Sequence, residues 1–313
     1  MPSDAPLITV IIPAYNRAAT IGRALASVFR QTCTDYEILL VDDGSNDETA
    51  ALARAFAHQA LRIIQHDRNR GAAAARNSGL RAARGAYIAL LDSDDEWAPS
   101  KLATQLAQLR QGAPDTPATC TAYTIWEGRM RRDYFPRPVT AQTLLMGCDL
   151  SPGSTLMMKR AVVDEVGLFD ETLARYEDWD WLLRYTRLYR IGVLAEPLAM
   201  VHYSPHRAAN VMAAAAARLL DKYDAEMRAA GAAGRKARGL RWMEVARCYA
   251  MEREPRAFLT CTARALRAYP LYRPGTLLLL ADAWLGTRFA ASLQTWRARR
   301  RRAPPSDPGH DAL

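Results

Sequence analysis

The chain has 313 residues, 50% of them apolar, and a formal net charge of +9. This length and composition suit one large domain with an appendage. The five cysteines form no C-x-x-C pair, which argues against a disulfide framework or a zinc site and favours a reducing cytoplasm. The N-terminus lacks a signal-peptide pattern and no apolar run reaches about 18 residues, so we expect neither secretion by that route nor a membrane-spanning helix.

The basic charge is concentrated in the C-terminal third of the chain. Residues 207–313 carry 20 Lys and Arg against 9 Asp and Glu, whereas residues 1–206 carry 22 against 24. Such a segment predicts contact with an anionic surface, either phospholipid or nucleic acid. The alternative is that these arginines lie on the solvent-exposed faces of alanine-rich helices.

Strands and helices alternate along the first 95 residues. Helices are predicted after Thr20, over about 48–60 and over 72–83. This alternation predicts an α/β fold with a doubly wound, mostly parallel sheet. The buried strands are predicted at LITVII (7–12), YEILLVDD (36–43), LRIIQHD (61–67) and AYIALL (86–91).

The pattern is less regular after residue 97. Residues 99–112 predict a helix, with Pro99 near its start and Gly112 just past its end. Residues 117–150 predict only short strands and loops, and irregular segments of this kind are often functional. A strand, a helix and a further helix beginning near Glu177 follow. The last 107 residues are mostly helix-forming, and we expect the tail to be disordered.

Carboxylates cluster where the predicted strands end. Asp92, Asp94 and Asp95 follow the fourth strand in "LDSDD", and three of the four strands end in Asp. One interpretation is a solvated turn, because Asp and Ser are common turn formers. The other is a Mg²⁺ or Mn²⁺ site, in which the cation offsets the repulsion between the carboxylates. Ligands bind at the carboxyl ends of strands in such sheets, so the recurrence of Asp there favours the second interpretation.

Five sequence blocks occur in a fixed order over about residues 9–210. They are VIIPAYNR (10–17), VDDGSND (41–47), RGAAAARNSGL (70–80), LDSDD (91–95) and GLFDETLARYEDWDWLLR (167–184). Together they resemble the family 2 inverting glycosyltransferases, which have a GT-A nucleotide-sugar-binding fold. The resemblance implies a GT-A catalytic domain over residues 1–206. We expect a basic helical region over 207–302 and the disordered tail over 303–313.

The resemblance implies where a nucleotide-sugar donor binds. Tyr15 lines a pocket for uracil, with a loop-covering aromatic as the alternative, and Asp43 accepts a hydrogen bond from the base edge. Asp42 can take that role instead, since "DD" leaves the register open by one residue. The implied donor-binding residues are Pro13, Ala14, Tyr15, Arg17, Asp42, Asp43, Arg70, Gly71, Arg76, Asp92 and Ser93.

The resemblance also implies a cation and a catalytic base. Asp94 is implied to hold Mn²⁺ or Mg²⁺ with Asp95 in support, although the two can be exchanged. His206 is a candidate metal ligand, with a structural histidine as the alternative. Asp178 is implied to be the general base that deprotonates the acceptor hydroxyl, with Glu177 beside it. The alternative for Asp178 is a helix N-terminal carboxylate without chemistry.

The resemblance implies a metal-dependent inverting glycosyltransferase that moves a sugar, with UDP-hexose the expected donor, to a hydroxyl acceptor in surface glycan assembly. The acceptor is expected to be a glycan or a lipid-linked saccharide, reached by a cytoplasmic protein at the inner face of the cell membrane. One alternative is a nucleotidyltransferase, but "PAYNRAATIG" lacks the Gly-rich, Lys-bearing phosphate loop expected of one. Another is a noncatalytic nucleotide-sugar-binding protein. A nucleic-acid partner is not expected, because no recognisable motif accompanies the basic C-terminus.

Overall fold

A computed structural model describes residues 5–128, 130–202 and 208–270. The first part alternates strands and helices as the sequence predicts. Its elements are β1 (Ile8–Ala14), α1 (Ile21–Phe29), β2 (Tyr36–Asp42), α2 (Thr49–Ala55), β3 (Leu61–Gln65), α3 (Ala72–Ala82) and β4 (Tyr87–Leu90).

The second part adds short strands and a series of helices. Its elements are β5 (Glu96–Trp97), α4 (Lys101–Gln111), β6 (Ala118–Glu127), β7 (Met130–Tyr134), α5 (Ala141–Met146), α6 (Pro152–Thr155), β8 (Met157–Lys159), α7 (Ala161–Val166), α8 (Glu177–Tyr185), β9 (Ile191–His202), α9 (Ala209–Lys222), α10 (Asp224–Ala229), α11 (Ala232–Met251) and α12 (Pro255–Ala268).

One sheet runs through the described chain in the order β3-β2-β1-β4-β8-β6-β9-β5, with β7 paired to β6. The first four strands in that order are parallel, with Ile11 of β1 opposite Leu39 of β2 and Leu90 of β4. Their carboxyl ends therefore lie at one edge of the sheet, where a doubly wound fold binds its ligand. The antiparallel β8 joins this half to the pair β6 and β9.

Helices cover both faces of the sheet, which confirms the doubly wound α/β prediction. Val10 and Ile12 of β1 pack with α1 and α4 in one core, whereas Ile11 and Leu39 pack with α3 and α8 in the other. Strands β1, β2 and β4 are buried along nearly their whole length because helices cover each face of the sheet there.

Two predictions for individual elements are wrong. Residues 117–150 are more regular than expected: β6 has ten residues and forms a hairpin with β7. The aromatic and basic side chains that interrupted the apolar pattern lie on this partly exposed ribbon. The helix predicted over 48–60 ends at Ala55, and Ala57 has a positive φ of 45°.

The described C-terminal helices are packed against the preceding fold. Leu219 and Leu220 of α9, and Tyr223 directly after it, belong to the same core as α8. The Tyr223 hydroxyl donates to the buried Asp180 carboxylate at 2.8 Å, which fixes α9 to α8. Residues 271–313 lie outside the described residues. They include the last part of the predicted basic region (271–302) and the whole predicted tail (303–313). Among the described helices, none combines the length and the apolar character needed to cross a membrane.

Candidate active site

The candidate site lies at the carboxyl ends of β1, β2 and β4. There the strands lead into three loops: residues 15–20, 43–48 and the acidic segment 91–95. The start of α8 joins them from the other half of the fold through Arg76 of α3. Most of the residues that the sequence blocks singled out are therefore brought to one edge of the sheet.

Asp43 organises the loop that leads into α3. Its carboxylate accepts hydrogen bonds from the backbone N–H groups of Arg70, at 3.0 Å to each oxygen, and Gly71, at 2.7 Å. A ring nitrogen of His66 lies 2.7 Å from one oxygen. Gly71 has a φ of 93°, which favours glycine, and nothing lies within 4 Å of where its side chain would project. Asp43 thus holds an open glycine turn next to the site.

Asp42 has a different environment from its neighbour. It ends β2 opposite Ala14, is fully buried, and accepts a hydrogen bond from the Ser45 N–H at 3.2 Å through one oxygen. Its other oxygen, Oδ2, is buried without a hydrogen-bond partner. A buried acceptor without a donor is costly, and this distinguishes Asp42 from Asp43, whose oxygens both have donors.

The loop after β1 supplies one aromatic and one basic side chain. Pro13 and Ala14 end β1, where they lie opposite Val41 and Asp42 of β2, whereas Tyr15 is 37% exposed. Arg17 donates to the carbonyls of residues 15 and 16, and its Nη2 lies 3.7 Å from Asp94 Oδ2. Arg17 therefore lies between the loop and the acidic segment.

Asp92 and Ser93 begin the acidic segment after β4. The Asp92 side chain is 37% exposed and accepts a hydrogen bond from Arg76 at 2.7 Å. Its carboxylate lies against Gly153 of α6, so closely that a side chain at 153 would collide with it. Ser93 is buried, 5% exposed. Gly153 thus sets how far the Asp92 carboxylate can swing towards α6.

Asp94 and Asp95 differ in what surrounds them. Asp95 is buried, and its oxygens accept from the Ser154 hydroxyl and from the His202 N–H at 2.8 Å. Asp94 is partly exposed, with the Arg17 guanidinium beside it. Burial and the nearby charge of Asp92 raise the pKa of both carboxyls. Asp95 is therefore tied into the fold, whereas Asp94 is open to a ligand.

Arg76 links the acidic segment to α8. Its guanidinium is buried and donates to Asp92 at 2.7 Å and to Glu177 at 2.6 Å. Its Nε is buried without a hydrogen-bond partner. A single planar cation therefore holds carboxylates from two distant parts of the chain in a fixed relation.

Asp178 lies in the first turn of α8, next to Glu177. One of its oxygens accepts the N–H of Trp179 at 2.7 Å. Burial and the charge of Glu177 raise the pKa of Asp178 to about 6, although Arg76 opposes this shift. A carboxylate with such a pKa is ionised at neutral pH and is a stronger proton acceptor than an ordinary Asp.

Sequence reasoning missed two residues that support the acidic segment. Ser154 bonds Asp95, and its carbonyl accepts from the Trp97 indole at 2.7 Å. His202 bonds Asp95 through its backbone and places its ring 2.9 Å from Glu96. The antiparallel pairing of β9 with β5 brings His202 there, and no local pattern indicates it. His206, the predicted metal ligand, lies outside the described residues.

The acidic segment offers one carboxylate that can bind a hard cation such as Mg²⁺. Among the described residues there is no cluster of three or more His, Cys, Asp or Glu side chains arranged to hold a metal. Of the neighbours Asp94 and Asp95, Asp94 is the accessible one, because both oxygens of Asp95 have protein donors, whereas Asp92 is held by Arg76. Mg²⁺ is commonly held by one or two carboxylates plus substrate phosphates, so Asp94 alone fits that pattern.

The sequence model of the family described as "Glycosyl transferase family 2" matches residues 9–167. A similar protein is the UDP-Glc:alpha-D-GlcNAc-diphosphoundecaprenol beta-1,3-glucosyltransferase WfgD of Escherichia coli, 38% identical over 106 residues. That alignment covers 34% of this chain and 42% of WfgD, so this chain spans less than half the length of that relative.

Two solved structures share the fold. The first is S. aureus TarS 1-349 in complex with UDP-GlcNAc, with a TM-score of 0.61 and 20% identity over 97% of this chain and 94% of that one. The second is the mannosyltransferase PcManGT from Pyrobaculum calidifontis in complex with GDP-Man and Mn2+, with a TM-score of 0.57 and 20% identity over 95% and 85%. These neighbours confirm the predicted GT-A fold. Since the matched residues 9–167 make up half of the chain, it belongs to glycosyl transferase family 2.

Proposed function

We propose that this protein is an inverting, metal-dependent glycosyltransferase that moves a hexose from a UDP-sugar to a hydroxyl acceptor. The observation that carries the proposal is that Arg76 bonds both Asp92, on the donor side, and Glu177, at the start of α8. The next residue of α8, Asp178, has a pKa raised to about 6. An acceptor-deprotonating base and a donor site are thereby held at one edge of the sheet. The name of the relative WfgD, which includes UDP-Glc and a diphosphoundecaprenol acceptor, supports a lipid-linked saccharide or glycan as acceptor.

The unpartnered oxygen of Asp42 is the best candidate acceptor for the uracil imide N–H. Asp43 has donors on both of its oxygens, whereas Asp42 Oδ2 is buried and has none. The exposed Tyr15 ring can stack on the base. We therefore assign the base edge to Asp42 and the shaping of the loop at Arg70 and Gly71 to Asp43.

Asp94 would hold the divalent cation, with the donor's diphosphate supplying further ligands. When bound, the cation would neutralise the charge that develops on the departing UDP. Arg17 is placed beside Asp94, where its guanidinium can contact the same phosphates. Asp95, bonded to Ser154 and His202, fixes the loop that carries Asp94.

Asp178 would accept the proton of the acceptor hydroxyl as that oxygen attacks the anomeric carbon. The bond from the anomeric carbon to the diphosphate breaks in the same displacement, and UDP leaves with the bonding electrons. Glu177 is already bound by Arg76, so Asp178 is the carboxylate of the pair that remains available for the proton. Direct displacement on the opposite face inverts the anomeric centre.

Thermal-shift measurements with UDP-glucose, UDP-GlcNAc, a dTDP-sugar and GDP-mannose, each with and without Mn²⁺, test the donor proposal. We expect UDP-sugars to raise Tm in the presence of Mn²⁺, and Asp94→Ala to lose the Mn²⁺-dependent part of that rise. EDTA should abolish UDP release from the stabilising donor. Stabilisation by GDP-mannose alone would contradict the UDP assignment, and binding without UDP release would favour a noncatalytic nucleotide-sugar-binding protein.

The basic C-terminal region supports a second part of the proposal, which concerns location. Residues 207–313 carry the whole excess of positive charge. We propose that this region holds a cytoplasmic enzyme against the anionic inner face of the cell membrane, where a lipid-linked acceptor would be found. The catalytic domain is proposed to span residues 1–206.

A further inference from the structure

The residue before Glu177 has an unusual backbone conformation. Tyr176 forms the N-cap of α8 with φ 66° and ψ 13°, in the left-handed region. A bulky residue rarely adopts this conformation unless surrounding contacts hold it there. Two residues further on is Asp178, so the contacts of Tyr176 determine how the first turn of α8 is presented to the site.

Those contacts come from α11, in the C-terminal helical region. The Tyr176 hydroxyl donates to Glu244 Oε2 at 3.1 Å. Arg241, one turn earlier on α11, donates to the same carboxylate. The Arg241 guanidinium also lies over the rings of Tyr176, at 5.8 Å, and Trp179, at 4.5 Å. One arginine of α11 therefore contacts aromatic residues on both sides of Asp178.

The far side of this cluster is fixed to the fold as well. The Trp179 indole donates to the Leu144 carbonyl of α5 at 2.8 Å. The Arg241 side chain is 14% exposed. The first turn of α8 is thus held from the donor side by the Arg76–Glu177 bond and from the C-terminal side by Tyr176 and Trp179.

We propose that Glu244 and Arg241 of α11 are positioning residues for the transfer reaction, acting through Tyr176 to hold Asp178 in its reactive orientation. This inference rests on the proposed role of Asp178 as the base. It makes the C-terminal helices part of the catalytic apparatus, in addition to any contact they make with a membrane. A small misplacement of a catalytic group can cost about 100-fold in rate, so loss of this support should be measurable.

The test compares Tyr176→Phe, Glu244→Ala and Glu244→Gln in the full-length protein. Tyr189→Phe is the matched control, because it removes another tyrosine–glutamate hydrogen bond, that to Glu165. The rate of UDP release from UDP-glucose and UDP-GlcNAc with Mn²⁺ is measured together with the Kd of UDP. We expect Tyr176→Phe and Glu244→Ala to slow release by about 10- to 100-fold while the Kd of UDP changes little.

The pattern among the variants separates positioning from general damage. Glu244→Gln keeps an oxygen acceptor for the Tyr176 hydroxyl and should recover most of the rate. The double variant Tyr176→Phe/Glu244→Ala should be no slower than Glu244→Ala alone, because the hydrogen bond that Tyr176→Phe removes is already absent once Glu244 is replaced. A Tyr176→Phe rate equal to that of Tyr189→Phe, or a Glu244→Gln rate as low as that of Glu244→Ala, would overturn the inference.

Amide hydrogen exchange gives a readout that needs no substrate. Peptides that cover residues 174–185 should exchange faster in Tyr176→Phe and Glu244→Ala than in wild type or Tyr189→Phe. Unchanged exchange in both variants would also overturn the inference. Asp178→Asn separates the two proposals: if it releases UDP at the wild-type rate, the proposed base is wrong. If it is inactive while Tyr176→Phe is normal, only the positioning role fails.

Discussion

The Arg76 guanidinium is buried between two carboxylates that are distant in the sequence, Asp92 after β4 and Glu177 at the start of α8. Burial alone would lower its pKa, but the charges of Asp92, Glu177 and Asp178 outweigh this effect and raise the pKa above its usual value. Arg76 therefore stays charged, and its positive charge limits how far the pKa of Asp178 rises. The same side chain supports the fold and adjusts the proposed base.

Replacing Arg76 with Met should strongly destabilise the protein, because it leaves Glu177 buried without its partner. Breaking a buried ion pair from one side typically costs about 3–5 kcal/mol. Arg81→Met is the control on the same helix: Arg81 is exposed and 3.7 Å from Glu171, so its loss should cost at most about 1 kcal/mol. Urea unfolding of both variants measures the difference. Similar costs for the two would show that the Arg76 pairs do not stabilise the fold.

The raised pKa of Asp178 predicts a pH dependence of transfer. The carboxylate must be ionised to accept a proton, so the rate should fall as the pH drops through about 6. Asp178→Asn should lower the rate by about 10²- to 10⁴-fold and remove this dependence, with the Kd of UDP nearly unchanged. UDP release measured from about pH 5 to about pH 8 provides the check. An unaltered acid limb in Asp178→Asn would assign the limb to another group, with Glu177 the first to examine.

At the scale of single elements, the sequence predicts the first half of the fold well, because the strands there are short, mostly apolar segments between turn signals. It fails for β6 and β7, whose exposed faces carry Arg131, Arg132 and Trp126 and so hide the alternation of a half-buried ribbon. The sequence also leaves open whether Asp42 or Asp43 accepts a hydrogen bond from the base of the donor. That choice depends on which carboxylate meets the amides of residues 70 and 71, a contact that no local pattern encodes.

The short helix α6 positions the acidic segment, and Gly153 is the residue through which it does so. A methyl group at 153 would collide with the Asp92 carboxylate, so Gly153→Ala must displace one or the other. We expect the affinity for UDP-glucose to fall about tenfold or more, since Asp92 is one of the residues expected to bind the nucleotide-sugar donor.

Gly22→Ala in α1 is the matched control for Gly153→Ala. Its new methyl group would meet only the Phe56 ring at 3.8 Å, an ordinary contact. Because alanine is the better helix former, this variant should bind UDP-glucose normally and be stabilised by up to about 1 kcal/mol. Titration calorimetry with UDP-glucose and thermal unfolding distinguish the two sites. Equal donor affinities for Gly153→Ala and wild type would mean that the Asp92 position does not govern donor binding.

At the scale of the whole molecule, the division into a catalytic domain and a basic appendage stays a prediction. Composition shows where the charge lies, but it does not show that Leu219 and Leu220 of α9 would pack in the core beside α8. Nor does it indicate the bond from Tyr176 to Glu244, which joins residues 68 positions apart. Contacts of this kind are decided by tertiary packing, which a single sequence does not report.

The proposed membrane contact can be assigned to one of two groups of arginines. The sequence places four consecutive arginines at residues 299–302, whereas Arg131 and Arg132 lie on the exposed β7 strand.

The wild-type protein should sediment with phosphatidylglycerol vesicles at low salt and be released as salt rises, because screening weakens each contact. It should not sediment with phosphatidylcholine vesicles. Each arginine near an anionic surface contributes about 1 kcal/mol, so changing residues 299–302 to Gln should nearly abolish sedimentation. The double variant Arg131→Gln/Arg132→Gln is the control and should sediment like wild type. The reverse result would move the contact to the β6–β7 hairpin, and equal sedimentation of wild type with both kinds of vesicle would leave the arginines as solvent-exposed helix faces.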